Sequence, residues 1–275
     1  MDNENGYDDG SRTPLVLQPM EILGRRVVAT LAELGRFFDF LARALAATFR
    51  RPVRWRLYAE QIERIGVRSI PIIALSSAAI GMIFSLQMTM LLKMFQAEAM
   101  VGAAVGLTLA RELAPVITTL MLIAKNGSSM TAELGTMRVT EQIDAMETMS
   151  VDPIHYLVVP RIVASVISFP ILTGLANIVG VSGAYVVAVV MLDVDPGGFF
   201  EQLNWFVTAK DVYSGLIKAS VMGFMMAVIC SYFGFFSDRG SKGVGESATR
   251  AVVTSSVGIL IADYIMADLM LKLLY

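Results

Sequence analysis

Hydrophobic residues run in long blocks along most of this chain, and the polar residues collect between the blocks instead of alternating with them. Four blocks have membrane-crossing length, at 70–92, 156–192, 213–236 and 251–274, and a fifth, about 99–124, is apolar except for Arg111 and Glu112. A helix needs about 20 apolar residues to cross about 30 Å of hydrocarbon, so five transmembrane helices are expected. The block 156–192 is long for one span; Pro160 and Pro170 can kink it, and Gly180 and Gly183 permit close packing. Ahead of the blocks, Ile22, Val27, Leu31, Leu34, Phe38, Leu41, Leu45 and Phe49 recur at helical spacing, interrupted by Arg25, Arg26, Glu33, Arg36, Asp39 and Arg43. Such an arginine-rich amphipathic stretch fits a helix lying in the headgroup region. The expected fold class is an all-α integral membrane protein. Its parts are a disordered cytoplasmic lead-in over 1–18, an amphipathic interfacial helix with a basic connector over 19–68, and a five-span domain over 69–275.

Composition agrees with this class. The 275 residues are 55% hydrophobic and 17% charged, with mean hydropathy +0.63, whereas soluble domains carry about 25% charged residues. The net charge of −2 says nothing of nucleic acid, and none is expected as a partner. The distribution of Lys and Arg says more. With the amino terminus in the cytoplasm, the basic residues before Ile70, then Lys125, Arg138, Arg161, Arg239, Lys242 and Arg250, fall inside; only Lys93, Lys210 and Lys272 fall outside. Five spans with the carboxyl terminus outside therefore satisfy the positive-inside rule. The first residues lack the basic and apolar regions of a secretory signal. One cysteine, Cys230, and one histidine, His155, build neither a disulfide framework nor a metal cluster, so no metal or cofactor is expected.

Between the second and third blocks lies AELGTMRVTEQIDAMETMSVDP, from Ala132 to Pro153. Read as one helix, it brings Leu134, Met137, Ile143, Met146 and Met149 close to one side, with Glu133, Glu141, Asp144 and Glu147 mostly elsewhere. A helix of this length is marginal in water, so something must take its apolar side. That is either its own bundle or a groove in another protein, which acidic surface and flexible methionines suit. A membrane-surface helix would be basic.

Arg111 and Glu112 lie inside the second block and Lys218 inside the fourth. Charges at that depth cost a few kcal/mol each unless paired or wetted. Glu112 is therefore expected to pair with Lys218, or with Arg111 through a polar network. Pro115 withholds an N–H from a backbone carbonyl, which can join the network. Such a network reads either as a polar hinge on a transport path or as an ion pair that fixes helix register. Asp263, in the last block, is expected to cap an internal contact with a serine or tyrosine. Gly102–Gly106, Ala219–Gly223 and Gly258–Ala262 have the spacing that allows helices to approach closely.

The stretch RELAPVITTLMLIAKNGSSMTAELGTMRVTEQIDAMETMSVDPIHYLVVPRIVAS resembles the MlaE/YrbE family, permease subunits of ABC transporters that work with MCE-domain lipid-binding proteins, and the resemblance extends over about 60–275. It implies a membrane subunit, not itself an enzyme, that moves lipids, phospholipids foremost, between its membrane and an MCE ring. Of the family's settings, a Gram-negative inner membrane, an actinobacterial plasma membrane or a plastid envelope, the lack of a transit-like amino terminus favours the bacterial inner membrane, with the MCE ring in the periplasm. A second copy of the chain would enclose the lipid pocket. Energy would come from separate cytoplasmic ATPase subunits, consistent with the absence of a G-x-x-x-x-G-K-[ST] motif; GSKGVG at Gly240–Gly245 lacks that pattern. The resemblance makes the acidic connector the coupling helix to the ATPase, through Glu133, Leu134, Met137, Arg138, Glu141, Ile143, Asp144, Met146 and Glu147. Phe84, Met88, Leu91, Leu92 and Phe95, at the end of the first span, are candidates for the lipid pocket, because methionine and aromatic side chains accept acyl chains without demanding one shape. One departure stands out. The family's second span ends in A-G-R-x-G-S, whereas Ala124, Lys125, Asn126, Gly127 and Ser128 stand here, and lysine lacks the planar guanidinium fork. A reading from another class is an ion-coupled secondary transporter with Arg111, Glu112, Lys218 and Asp263 as its relay; the odd span number and lack of a visible repeat count against it. A third is a membrane scaffold that anchors partners through 132–153.

Overall fold

The computed structural model describes residues 18–50, 54–238 and 240–274. The expected lead-in over 1–18 lies outside them apart from Gln18, as do Arg51 and Arg239 of the basic residues used for topology. Two units are present, up to Arg43 and Ala44–Tyr275. The first is formed by helix α1 (Gln18–Thr48), whose later turns belong to the second. Leu31, Leu34 and Phe38 are exposed on α1, and Arg43 pairs with Asp39 one turn earlier at 2.8 Å.

In the second unit, α2 (Trp55–Ile65) passes through the tight turn Val67–Ser69 into α3 (Ile70–Lys93), with Pro71 in the first turn, where its missing N–H costs nothing. The next helix is continuous from Glu98 to Val139. It is built of α4 (Val101–Thr108), α5 (Ala114–Leu122) and α6 (Ser128–Val139), joined by π-helical segments Leu109–Leu113 and Ile123–Gly127. Then come the short α7 (Gln142–Thr148), α8 (Val159–Tyr185) inside a helix running Ile154–Met191, α9 (Pro196–Phe206), α10 (Ala209–Phe235) and α11 (Ser241–Leu274). Five of these helices are long and apolar enough to cross a membrane, and no strand occurs among the described residues.

Helices outrun the apolar blocks because backbone hydrogen bonding continues until a residue breaks it, whatever the hydropathy. The second span therefore continues to Val139. Ala132–Pro153 is consequently not one helix: Glu141 takes a left-handed backbone, φ 58°, and separates α6 from α7. The loop expected over 193–212 also holds α9, started by Asp195, whose carboxylate accepts the Gly198 N–H at 2.5 Å, and by Pro196.

Packing follows the small residues. Helix α8 lies between α3 and α10, and α10 also packs on α6 and α11. A Cβ on Gly81 would run into the Gly180 carbonyl, and one on Gly183 would sit 2.8 Å from the Ala78 carbonyl, so α3 and α8 meet backbone to backbone. Gly223 likewise takes Phe169 of α8, and Gly234 takes Leu134. Gly102 and Gly106 receive α9 rather than another span. Gly258 is not closely approached. Pro170 sits inside α8 and Pro160 in its first turn. The least buried span is the fifth.

Candidate functional site

The first π-helical segment carries Arg111 and Glu112. An inserted residue of this kind widens a helix locally and re-aims its side chains. Arg111 turns toward the start of α10, where its Nε and Nη2 lie 2.7 and 2.6 Å from Asp211 Oδ1. The other Asp211 oxygen accepts from the Thr208 N–H and hydroxyl at 2.8 and 2.7 Å, closing a capping box on α10. Glu112 turns to Lys218, Oε2 to Nζ at 2.5 Å. The same ammonium meets Asp263 Oδ1 of α11 at 2.8 Å and donates to the Arg111 carbonyl at 3.2 Å. That carbonyl is the one to which Pro115, four residues on, has no N–H to give. The Lys218 ammonium thus lies within 3.2 Å of three oxygens from two spans, donating hydrogen bonds to Glu112 and the Arg111 carbonyl and paired by charge with Asp263.

Exposure divides the group into two layers. The side chains of Asp211 and Lys218 are 1% and 2% exposed, whereas those of Arg111 and Glu112 are 28% and 43% exposed. A guanidinium and a carboxylate therefore stand side by side at a surface, each backed by a buried opposite charge. That surface is the wall of a cavity of about 240 Å³, completed by Ser214 and by apolar Leu107, Met270 and Leu271. Asp263 pairs with Lys218 in place of the expected serine or tyrosine contact. Asp211 is not singled out by the sequence reading, because it falls inside the apparent loop 193–212; its signal is the Thr-x-x-Asp spacing just ahead of an apolar block.

A second polar cluster lies near the other end of the second span. Glu133 Oε2 is 2.5 Å from Arg64 of α2 and 3.2 Å from Arg161 of α8. Lys125 donates to the Arg68 carbonyl and to Ser69 Oγ, the latter at 3.0 Å. Asn126 donates to the Ile65 carbonyl at 3.1 Å and to Ser69 Oγ at 3.0 Å. Lys125 thus serves here as a single-point donor, for which an ammonium suffices.

The residues expected to form the coupling helix separate. Leu134 and Ile143 are fully buried within this chain, Glu133 is held by two arginines, and Arg138 pairs with Asp144 at 2.5 Å. Met137 and Met146 are half-buried, and Glu141, Glu147 and Met149 are exposed. Asp152 caps the next helix through the N–H groups of Ile154 and His155 and pairs with Arg50 at 3.3 Å. The expected lipid-pocket residues separate too. Phe84, Met88 and Leu92 pack half-buried on the cluster of Val105, Leu109 and Phe199, Leu91 and Phe95 are exposed, and none lines the 240 Å³ cavity. Cys230 is buried with its Sγ 3.5 Å from Ser255 Oγ, and among the described residues no group of three His, Cys, Asp or Glu is placed to hold a metal ion.

Residues 58–269 match the protein family described as Permease MlaE. The chain is 38% identical to a probable ABC transporter permease protein of Rickettsia bellii, over 94% of this chain and 100% of that one. It is 35% identical to the intermembrane phospholipid transport system permease protein MlaE of Haemophilus influenzae, over 93% and 98% of the two. With the chloroplastic protein trigalactosyldiacylglycerol 1 of Arabidopsis thaliana it shares 35% identity over 78% of this chain and 62% of that protein.

Proposed function

The chain belongs to the MlaE permease family, and on that premise we propose that it carries phospholipid as the membrane subunit of an ATP-driven transporter, with ATP hydrolysed by separate cytoplasmic subunits. The observation that carries this reading is the paired wall of the cavity. A phospholipid headgroup brings an anionic phosphate, which suits the fork of Arg111, and in zwitterionic lipids a cation, which suits Glu112. Asp211 and Lys218 behind them keep both charges in place at a depth where an unpaired charge would be expelled. Leu107, Met270 and Leu271 offer the acyl chain an apolar wall. Relatives named for intermembrane phospholipid transport and for a galactolipid support a lipid cargo.

The remaining parts follow from the same premise. The scarcely buried α11 and the exposed face of α3 are surfaces for a second copy of the chain. The ATPase would dock on Glu141, Met146, Glu147 and Met149, the part of the connector not consumed by its own bundle. The charge asymmetry supports an amino terminus in the cytoplasm and a cargo exchange with a periplasmic MCE ring at the far side of an inner membrane.

The test is lipid transfer by the assembled transporter reconstituted in vesicles. Wild type transfers phospholipid when ATP is added, and Arg111→Leu with Glu112→Leu abolishes transfer while the ATPase still co-purifies. Transfer that persists in this variant would remove the paired wall from the transport path, and transfer that stops with a proton ionophore instead of with ATP removal would return the ion-coupled reading.

A further inference from the structure

Helix α9 stands beside α4, not above it. Gly198 abuts Ala99, with 3.1 Å left for a Cβ, a Cβ on Gly102 would run into the Phe199 carbonyl, and one on Gly106 would strike Leu203 and come within 2.9 Å of Val207. The contacts advance together along both helices, so the two run side by side in the same direction. From Ala99 to Gly106 that is about 10 Å of descent from the top of the second span. On its other side, α9 stacks Phe199 and Phe200 on Tyr185, ring centroids 5.7 and 5.2 Å apart, and Tyr185 lies below the end of the third span at Met191.

The chain turns at the foot of this descent and only then begins the fourth span. Backbone at membrane depth must satisfy its own polar groups. Here the Val207 N–H reaches the Leu203 carbonyl at 3.0 Å and the Thr208 N–H reaches Asp211 at 2.8 Å, and Asp211 in turn holds Arg111. Helix α9 therefore fills the level that the outer turns of a longer fourth span would occupy. Its inner side is closed by Phe199, while Phe200, Trp205 and Phe206 are 47%, 79% and 42% exposed. Its one charged residue, Glu201, stands at mid-helix, above Trp205 and Phe206, and the stem of exposed Lys210 at the turn can carry its ammonium back toward the phosphates.

We propose that α9 is a re-entrant segment that binds lipid acyl chains, with Trp205 and Phe206, at its lower end, seated in the leaflet on the side of the α8–α10 connection. Large aromatic side chains at the depth of the headgroup–acyl boundary gain both apolar contact and a defined level in the membrane. The proposal stands on the packing of α9 and is independent of what the protein transports.

Spin labels test it in the full-length chain, in the assembly in which it purifies, reconstituted into phosphatidylcholine vesicles. Labels are placed singly at Glu201→Cys, Trp205→Cys and Phe206→Cys, with the unsubstituted chain as the blank. Collision rates with oxygen, which concentrates in lipid, and with a water-soluble nickel chelate give the depth of each. The expected result is that oxygen outweighs nickel at Trp205→Cys and Phe206→Cys and that the ratio reverses at Glu201→Cys. Nickel outweighing oxygen at both aromatic positions would place α9 in water and overturn the proposal. Exclusion of both reagents from both positions would mean that protein covers this face, which overturns it equally.

Discussion

At the scale of single residues, the central network gives unequal roles to its members. Lys218 is buried and faces two carboxylates, so Lys218→Met leaves Glu112 and Asp263 without their common partner. Breaking a buried pair from one side costs about 3–5 kcal/mol, and a matching loss of thermal stability in detergent is expected. Glu112→Leu is milder for the fold, because Lys218 keeps Asp263 and the Arg111 carbonyl. Its loss should fall on lipid transfer with the unfolding midpoint nearly unchanged; a collapse of the midpoint would assign Glu112 to architecture. Arg111, Glu112 and Lys218 were legible in the sequence because three charges inside apolar blocks must find partners. Asp211 and Asp263 were less so, since no spacing rule connects residues on different spans.

At the scale of elements, close approach and the connector give contrasting pairs of variants. Gly81→Ala would drive a methyl group into the Gly180 backbone, which cannot move aside, and should part α3 from α8 at a cost of about 1–3 kcal/mol. Gly180→Ala meets the end of the Leu109 side chain at 3.3 Å, which can shift, and should cost less than about 1 kcal/mol. Unfolding midpoints of the two proteins compare them directly. In the connector, Glu141→Lys with Glu147→Lys should weaken ATPase co-purification and leave the chain stable. Glu133→Lys should do the reverse at first hand, loosening α2 and α8 from α6 by setting a third cation beside Arg64 and Arg161. The five spans were legible because hydrocarbon thickness sets a length that composition reveals. The break at Glu141 was not, because apolar residues keep helical spacing across Thr140 and Glu141 while the left-handed backbone there leaves no mark in composition. Helix α9 was hidden similarly: Asp195 and Pro196 announce a helix start, but the element is too short to read as a membrane block.

At the scale of the whole molecule, the chain is a five-span permease of the MlaE family whose polar residues form two clusters along the second span, one at each π-helical segment or just beyond it. The clusters tie that span to α10 and α11 at one level and to α2 and α8 at the other. On the proposed function, a push on α7 from an ATPase would thus enter, through α6, a helix already fastened near the proposed lipid site. Lipid binding at Arg111 and Glu112 is the claim on which this account turns. Native mass spectrometry of the gently extracted complex, with identification of the lipid it releases, tests that claim most directly. The expected result is two copies of the chain with ATPase subunits and retained phospholipid, the lipid being lost from an otherwise intact complex in Arg111→Leu. A lone chain without an ATPase, or phospholipid retained equally by Arg111→Leu, would contradict it.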